Sequence, residues 1–156
     1  LTAPLGEVSV VLSKFFAALI YYLLLWVPWG LFLIELRVDG GKPFDYLPLL
    51  SFYGALVCSG AAFVAMGLFF SSLTRNQIIA AVMTFMGMMF LLIFFLLERL
   101  NVGPTLAALF KQLSFIDLWI TSLGGKLYIR DVVLQLSVAA FWLYLTVKVL
   151  EARKWS

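Results

Sequence analysis

The sequence predicts an all-α integral membrane fold. It expects four transmembrane helices with an external re-entrant or interfacial helical hairpin before the last span, in one transmembrane domain over residues 1–156. Three observations predict it. Runs at 15–34, 47–70, 78–97 and 132–147 hold no charged residue, and a bilayer core about 30 Å thick takes roughly 20 helical residues to cross. Hydrophobic residues make up 64% of the chain and charged ones 12%; soluble domains sit near about 45–50% and 25%, so a water-soluble core is excluded. The stretch 98–131 is too long for a plain connection and carries two short amphipathic patterns of its own.

The spans are expected at about 12–34, 47–71, 75–98 and 131–150, with the external segment at about 104–123. The opening, with Thr2, Ala3, Pro4 and Glu7, is polar and rich in turn formers. Pro4 suits the first turn of a helix, where its missing N–H costs nothing. No basic region or cleavage signature marks a signal peptide here. The first residue is Leu1 and not Met, and the chain is expected to start partway through a longer protein. Lys14 marks the membrane boundary of the first span. Pro28 predicts a kink, because it removes a backbone hydrogen bond and crowds the preceding turn. Trp26 and Trp29 suit an aromatic belt at the far interface.

Residues 35–46 read as a short loop around Asp39-Gly40-Gly41-Lys42-Pro43, a strong turn signal. The second span is rich in small residues, among them Gly54, Ala55, Ser59, Gly60, Ala61, Ala65 and Gly67. Ala55 and Ser59, like Ala61 and Ala65, lie four apart and stack on one helical face. Small faces let membrane helices approach closely, so this span is expected to be the most buried. A tight reversal follows at 71–77, where Thr74 and Gln77 have capping-box spacing for the third helix. That helix carries Met83, Met86, Met88 and Met89. Thioethers are soft Cu(I) ligands, but no His or Cys stands beside them, and gap-filling in a flexible interface is the plainer reading.

In the external segment, Gly103 and Pro104 open a first short helix. Ser114 and Asp117 form a cap-like pair for a second, and Gly124-Gly125 ends it. Two short helices at the membrane surface, or dipping into it, fit this pattern. Asp131 opens the last span, where a carboxylate suits the helix dipole.

Candidate chemistry is sparse. The chain has no histidine and one cysteine, Cys58, so the commonest general base and any multi-cysteine metal site are missing. No phosphate-cradling glycine loop or nucleophile motif occurs. No catalytic, cofactor-binding or metal-ligating set stands out, and the expectation is that the chain is not an enzyme. Glu35, Asp39 and Asp45 share one outer loop, and Glu98, Asp117 and Asp131 share another. A carboxylate pair could form there, with solvated loop charge the plainer reading. Net charge is +3 with scattered basic residues, which gives no nucleic-acid footprint. Four spans put both chain ends on one side. That side holds five basic and two acidic residues against six and six on the other, and its shorter loops concentrate the basic charge, as on a cytoplasmic face.

Four segments, "LTAPLGEVSVVLSKF", "SSLTRNQIIAAVMTF", "IRDVVLQLSVAAFWLYLTV" and "VLEARKW", together resemble one family in order and spacing over nearly the whole chain. It is the type-2 ABC exporter permeases, in the branch linked to gliding motility and copper-enzyme maturation. Arg75 departs from the acidic residue common at that reversal in the family. The resemblance implies a six-span permease of which this chain holds spans three to six. It implies a homodimer or pseudo-dimer with two cytoplasmic ABC ATPase subunits, in a bacterial inner membrane, with the ends of this chain cytoplasmic. Thr2, Ala3, Pro4 and Glu7 would then couple to the ATPase, and Pro104, Ser114, Asp117, Gly124 and Gly125 would build the external hairpin. Gly54, Ser59, Gly60 and Gly67 are expected to pack helices together. A rival from another class is a non-transporting scaffold or assembly subunit of a larger complex, since uncharged spans with a small-residue face suit that equally well.

Overall fold

The computed structural model describes residues 6–40, 46–100 and 103–155. These residues form seven helices in chain order: α1 (Glu7–Leu25), α2 (Val27–Gly40), α3 (Tyr46–Leu73), α4 (Gln77–Arg99), α5 (Pro104–Leu113), α6 (Phe115–Leu123) and α7 (Ile129–Lys154). No strand occurs among the described residues. Among the described residues four helical stretches are long and apolar enough to cross a membrane: α1 with α2, α3, α4 and α7. The short pair α5 and α6 bends by 79° between its members. The protein is a multi-pass membrane protein with a bent helical hairpin before its last span.

α3 is the hub. It packs against α1, α4, α6 and α7, and 44% of its apolar stretch is buried, against 6–17% for the other spans. The small residues are the cause. Ala55, Ser59, Ala61 and Ala65 are all buried, and their size lets neighbouring backbones close in where apolar periodicity carries no information. Phe15 of α1 and Ala139 of α7 join Ala61, Ala62 and Ala65 in the central cluster, ringed by Leu19, Leu68, Val138 and Trp142. Most large apolar side chains of α1, α2 and α4 face outward, as lipid-facing surfaces should.

Two local expectations are corrected, and the expected kink is located. The first helical stretch does not end near residue 34: α2 runs on to Gly40 through Glu35, Arg37 and Asp39. These side chains are compatible with helix, and the Arg37 guanidinium sits 4.9 Å from the Tyr46 ring centroid. The helix therefore outlasts the hydrocarbon and continues beyond it. The residues of the expected turn at 41–45 lie outside the described residues. At the start of α4 the cap is Asn76, not Thr74. Asn76 Oδ1 accepts from Ile78 N at 2.9 Å, while Thr74 Oγ1 accepts from Asn76 N at 3.1 Å. An Asx side chain reaches the first free N–H directly, and Gln77 makes no reciprocal bond. The break near Pro28 falls at Trp26, which ends α1 in a helical conformation and donates to Leu23 O. Pro28 is then the second residue of α2, where a missing N–H is tolerated.

The bundle has two distinct ends. At one, Glu7 at the start of α1 meets Lys154 at the end of α7, with Nζ and Oε1 3.1 Å apart. The end of α3 lies beside them. At the other are α5, α6 and the start of α7, with Gly125 close to Leu47 and Pro48 of α3. Both ends of the described chain therefore lie on the same side of the bundle.

Candidate functional site

The residues expected to pack helices lie at different depths of contact. Ser59 is fully buried. Its hydroxyl donates to Ala55 O at 2.9 Å and accepts the indole N–H of Trp119 at 2.9 Å. Gly60 lies under the Tyr22 ring: a Cβ there would overlap Cε1 and stand 2.7 Å from Cζ. The same tyrosine reaches Leu56 O with its hydroxyl at 3.4 Å. A Cβ on Gly54 would come within 2.9 Å of Leu127, in the segment that leaves the hairpin. Gly67 has room, since a Cβ would rest 3.6 Å from Thr84 Cγ2, an ordinary contact.

The hairpin is built by its punctuation. Gly103 precedes α5 at φ 95°, a conformation closed to most L residues, and Pro104 takes the first helical position. Ser114 ends α5 and caps α6, accepting from Asp117 N at 3.3 Å. Gly124 closes α6, and Gly125 turns the chain at φ 81°. Aromatic contacts then seat the hairpin. Phe115 meets Phe63 of α3 edge-on at 5.0 Å, and Phe110 stacks on Phe94 of α4 at 6.0 Å.

One constellation at this end was set aside in the sequence as solvated charge. Glu98, in the last turn of α4, and Asp117, in the first turn of α6, lie within hydrogen-bonding reach of each other. Glu98 Oε2 and Asp117 Oδ2 are closed to solvent and have no donor. Two carboxyl groups at this range bond only when one carries a proton or a cation bridges them. Arg99 and Lys111 are close enough for their charges to act on Glu98. Asp131 is not part of the pair; it lies 3.6 Å from Arg130. Local pattern could not reveal the pairing, since the 79° bend at Ser114 is what turns Asp117 back toward α4. At pH 8, Glu98→Gln is expected to raise the unfolding free energy by about 1 kcal/mol, because an amide donates where a carboxylate only accepts. Thermal unfolding in detergent measures this, and a loss of similar size would count against the pairing.

Beside the pair, a cleft of about 400 Å³ opens between the hairpin and the start of α7. Lys111, Asp117, Arg130, Asp131 and Gln135 line it. It offers both signs of charge and no nucleophile–base pair. Among the described residues no group of three or more His, Cys, Asp or Glu could hold a metal ion. Such a cleft can bind or guide a polar group.

Of the residues expected to meet an ATPase, Thr2, Ala3 and Pro4 lie outside the described residues. Glu7 opens α1 and ties it to α7 through Lys154. Comparison with family models, with curated proteins and with solved structures finds no match.

Proposed function

We propose that the chain is the membrane portion of a permease subunit in an ATP-driven ABC exporter. It would work with a second permease copy and two cytoplasmic ATPases in an inner membrane, its described ends cytoplasmic. ATP hydrolysis would take place on the partner. The observation that carries the reading is where charge lies. The runs at 15–34, 47–70, 78–97 and 132–147 hold none, whereas proton- and ion-driven transporters keep ionisable groups at membrane depth. Energy for movement must then enter at an end of the bundle. The Glu7–Lys154 junction, where α1 and α7 meet, is a suitable entry, because a push on α1 there is passed to α7 and through both to α3. The hairpin before the last span and the resemblance of the four segments support the same reading.

The test has two parts. In a Cys58→Ser background, cysteines at Arg75 and Trp155 are expected to resist an impermeant thiol reagent applied outside intact cells, while cysteines at Lys42 and Lys111 react. Labelling at 75 but not 111 would invert the topology. Cysteines at Glu7 and Ser9 are expected to crosslink in native membranes to a protein with nucleotide-binding motifs, in a yield that changes with ATP. No such crosslink, together with the expected topology, would favour the scaffold reading.

A further inference from the structure

We infer that the cleft where α1, α3 and α7 converge binds the phosphate headgroup of an anionic phospholipid. The cleft has a volume of about 180 Å³ and lies at the end shared by the start of α1 and the end of α7. Lys14 of α1 and Arg153 of α7 line it from two sides, and Ser71 and Ser72 of α3 from a third. Its depth is fixed by the sequence. Lys14 directly precedes the uncharged run that begins at 15, and Ser71 directly follows the run that ends at 70. Both therefore stand at the level where hydrocarbon gives way to headgroups.

The two side-chain carboxylates described at this end are already engaged: Glu7 with Lys154 at 3.1 Å, Glu151 with Lys148 at 2.9 Å. Lys14 has no acidic partner among the described residues. The Ser72 hydroxyl donates to Phe69 O at 2.6 Å, which leaves its oxygen as an acceptor. Ser71 is exposed, and its hydroxyl can donate to a phosphate oxygen. An ammonium, a guanidinium and a hydroxyl on three helices form a donor set for a phosphate. Basic pockets between membrane helices bind lipid headgroups for this reason.

The floor separates a lipid from free phosphate. Val10, Val11, Leu68, Leu150 and Thr146 complete the lining, four of the five apolar. A ligand with a charged head and acyl chains satisfies mouth and floor together; an inorganic anion would satisfy the mouth alone. The inference needs only the membrane-spanning fold and is independent of the exporter reading.

The test uses the purified chain in detergent micelles. Binding of a fluorescent phosphatidylglycerol is compared with that of phosphatidylcholine carrying the same chains. One cation at an anionic lipid surface is worth about a fivefold gain in binding, so the wild-type protein is expected to prefer phosphatidylglycerol by about tenfold or more. Lys14→Gln with Arg153→Gln is expected to abolish the preference. Arg75→Gln, which removes the same charge from the same end outside the cleft, is expected to keep it. Equal binding of the two lipids by the wild-type protein would overturn the inference without recourse to any variant. An effect of Arg75→Gln as large as that of the double variant would reduce the site to diffuse surface charge and also overturn it. Displacement of the lipid by millimolar inorganic phosphate would make it a free-anion site, against the lipid assignment.

Discussion

Gly60→Leu is expected to prevent assembly of the folded bundle, with yield falling to aggregate and little protein left at the native size. The reason lies at one crossing. The Tyr22 ring of α1 covers the Gly60 position, and even a lone Cβ would overlap Cε1. The ring is pinned from its other end, since its hydroxyl reaches Leu56 O one turn earlier on α3. It cannot swing away without giving up that bond. Overpacking a fitted core by a few methylenes costs about 1–3 kcal/mol, and a leucine adds more at the point where α1 meets the hub. Gly60→Ala is the sharper variant. Alanine gains about 1 kcal/mol of helix propensity over glycine, so a net loss of stability would come from the clash alone. Adding Tyr22→Ala should recover part of that loss, with a coupling of about 1–2 kcal/mol between the two sites. Size-exclusion profiles and thermal unfolding of these variants and of Tyr22→Ala alone measure this. Wild-type yield and melting in Gly60→Leu would show that α1 and α3 do not meet as described.

The contrast with Gly67 shows how far a stripe of small residues can be read. The sequence marks both glycines as packing positions, and both lie on α3. Only Gly60 faces an aromatic ring at close range; Gly67 faces the Thr84 methyl with room for a Cβ. Residue size marks a helix that is approached closely, because in lipid it is shape and not polarity that distinguishes protein-facing from lipid-facing surfaces. It does not say by which side chain each position is approached. The hairpin was more legible, since its signals are local. Gly103, Pro104, Ser114 and Gly124-Gly125 act through backbone conformation and capping within a few residues of themselves. Two kinds of feature escaped the sequence. The extension of α2 through Glu35, Arg37 and Asp39 was hidden because charge marks where a chain leaves hydrocarbon, not where a helix ends. The Ser59–Trp119 bond, and which two of Glu98, Asp117 and Asp131 pair, were hidden because they depend on how different helices meet. In a soluble protein an apolar stripe would have named the facing sides. Here α4 is apolar nearly all round, and nothing in its pattern selects the turn that meets the hairpin.

Trp119→Ala is expected to release the hairpin from the bundle while leaving the opposite end intact. Trp119 joins α6 to the hub through two kinds of contact. Its indole N–H donates to the buried Ser59 hydroxyl at 2.9 Å. Its ring meets Phe115 edge-on at 5.2 Å, and Phe115 in turn meets Phe63 of α3 at 5.0 Å. Truncating a packed tryptophan costs about 3–5 kcal/mol, and the partial exposure of this ring argues for about 3. That is a large share of what holds a 9-residue helix against its neighbours. The hydrogen bond is the smaller part, since interhelical bonds in membranes average about 0.6 kcal/mol. Trp119→Phe and Ser59→Ala should each lose about that much, and their double variant should lose little more than either alone. Release is read at Ser122, which is fully buried on α6. In a Cys58→Ser background, Ser122→Cys is expected to be inert to thiol reagents with Trp119 present and to react readily in Trp119→Ala. A cysteine at Arg75, on the loop between α3 and α4, should label at the same rate in both. If Ser122→Cys stays protected after Trp119 is truncated, the aromatic contacts between Phe110 and Phe94 hold the hairpin without the tryptophan, and the Ser59–Trp119 link is not its anchor.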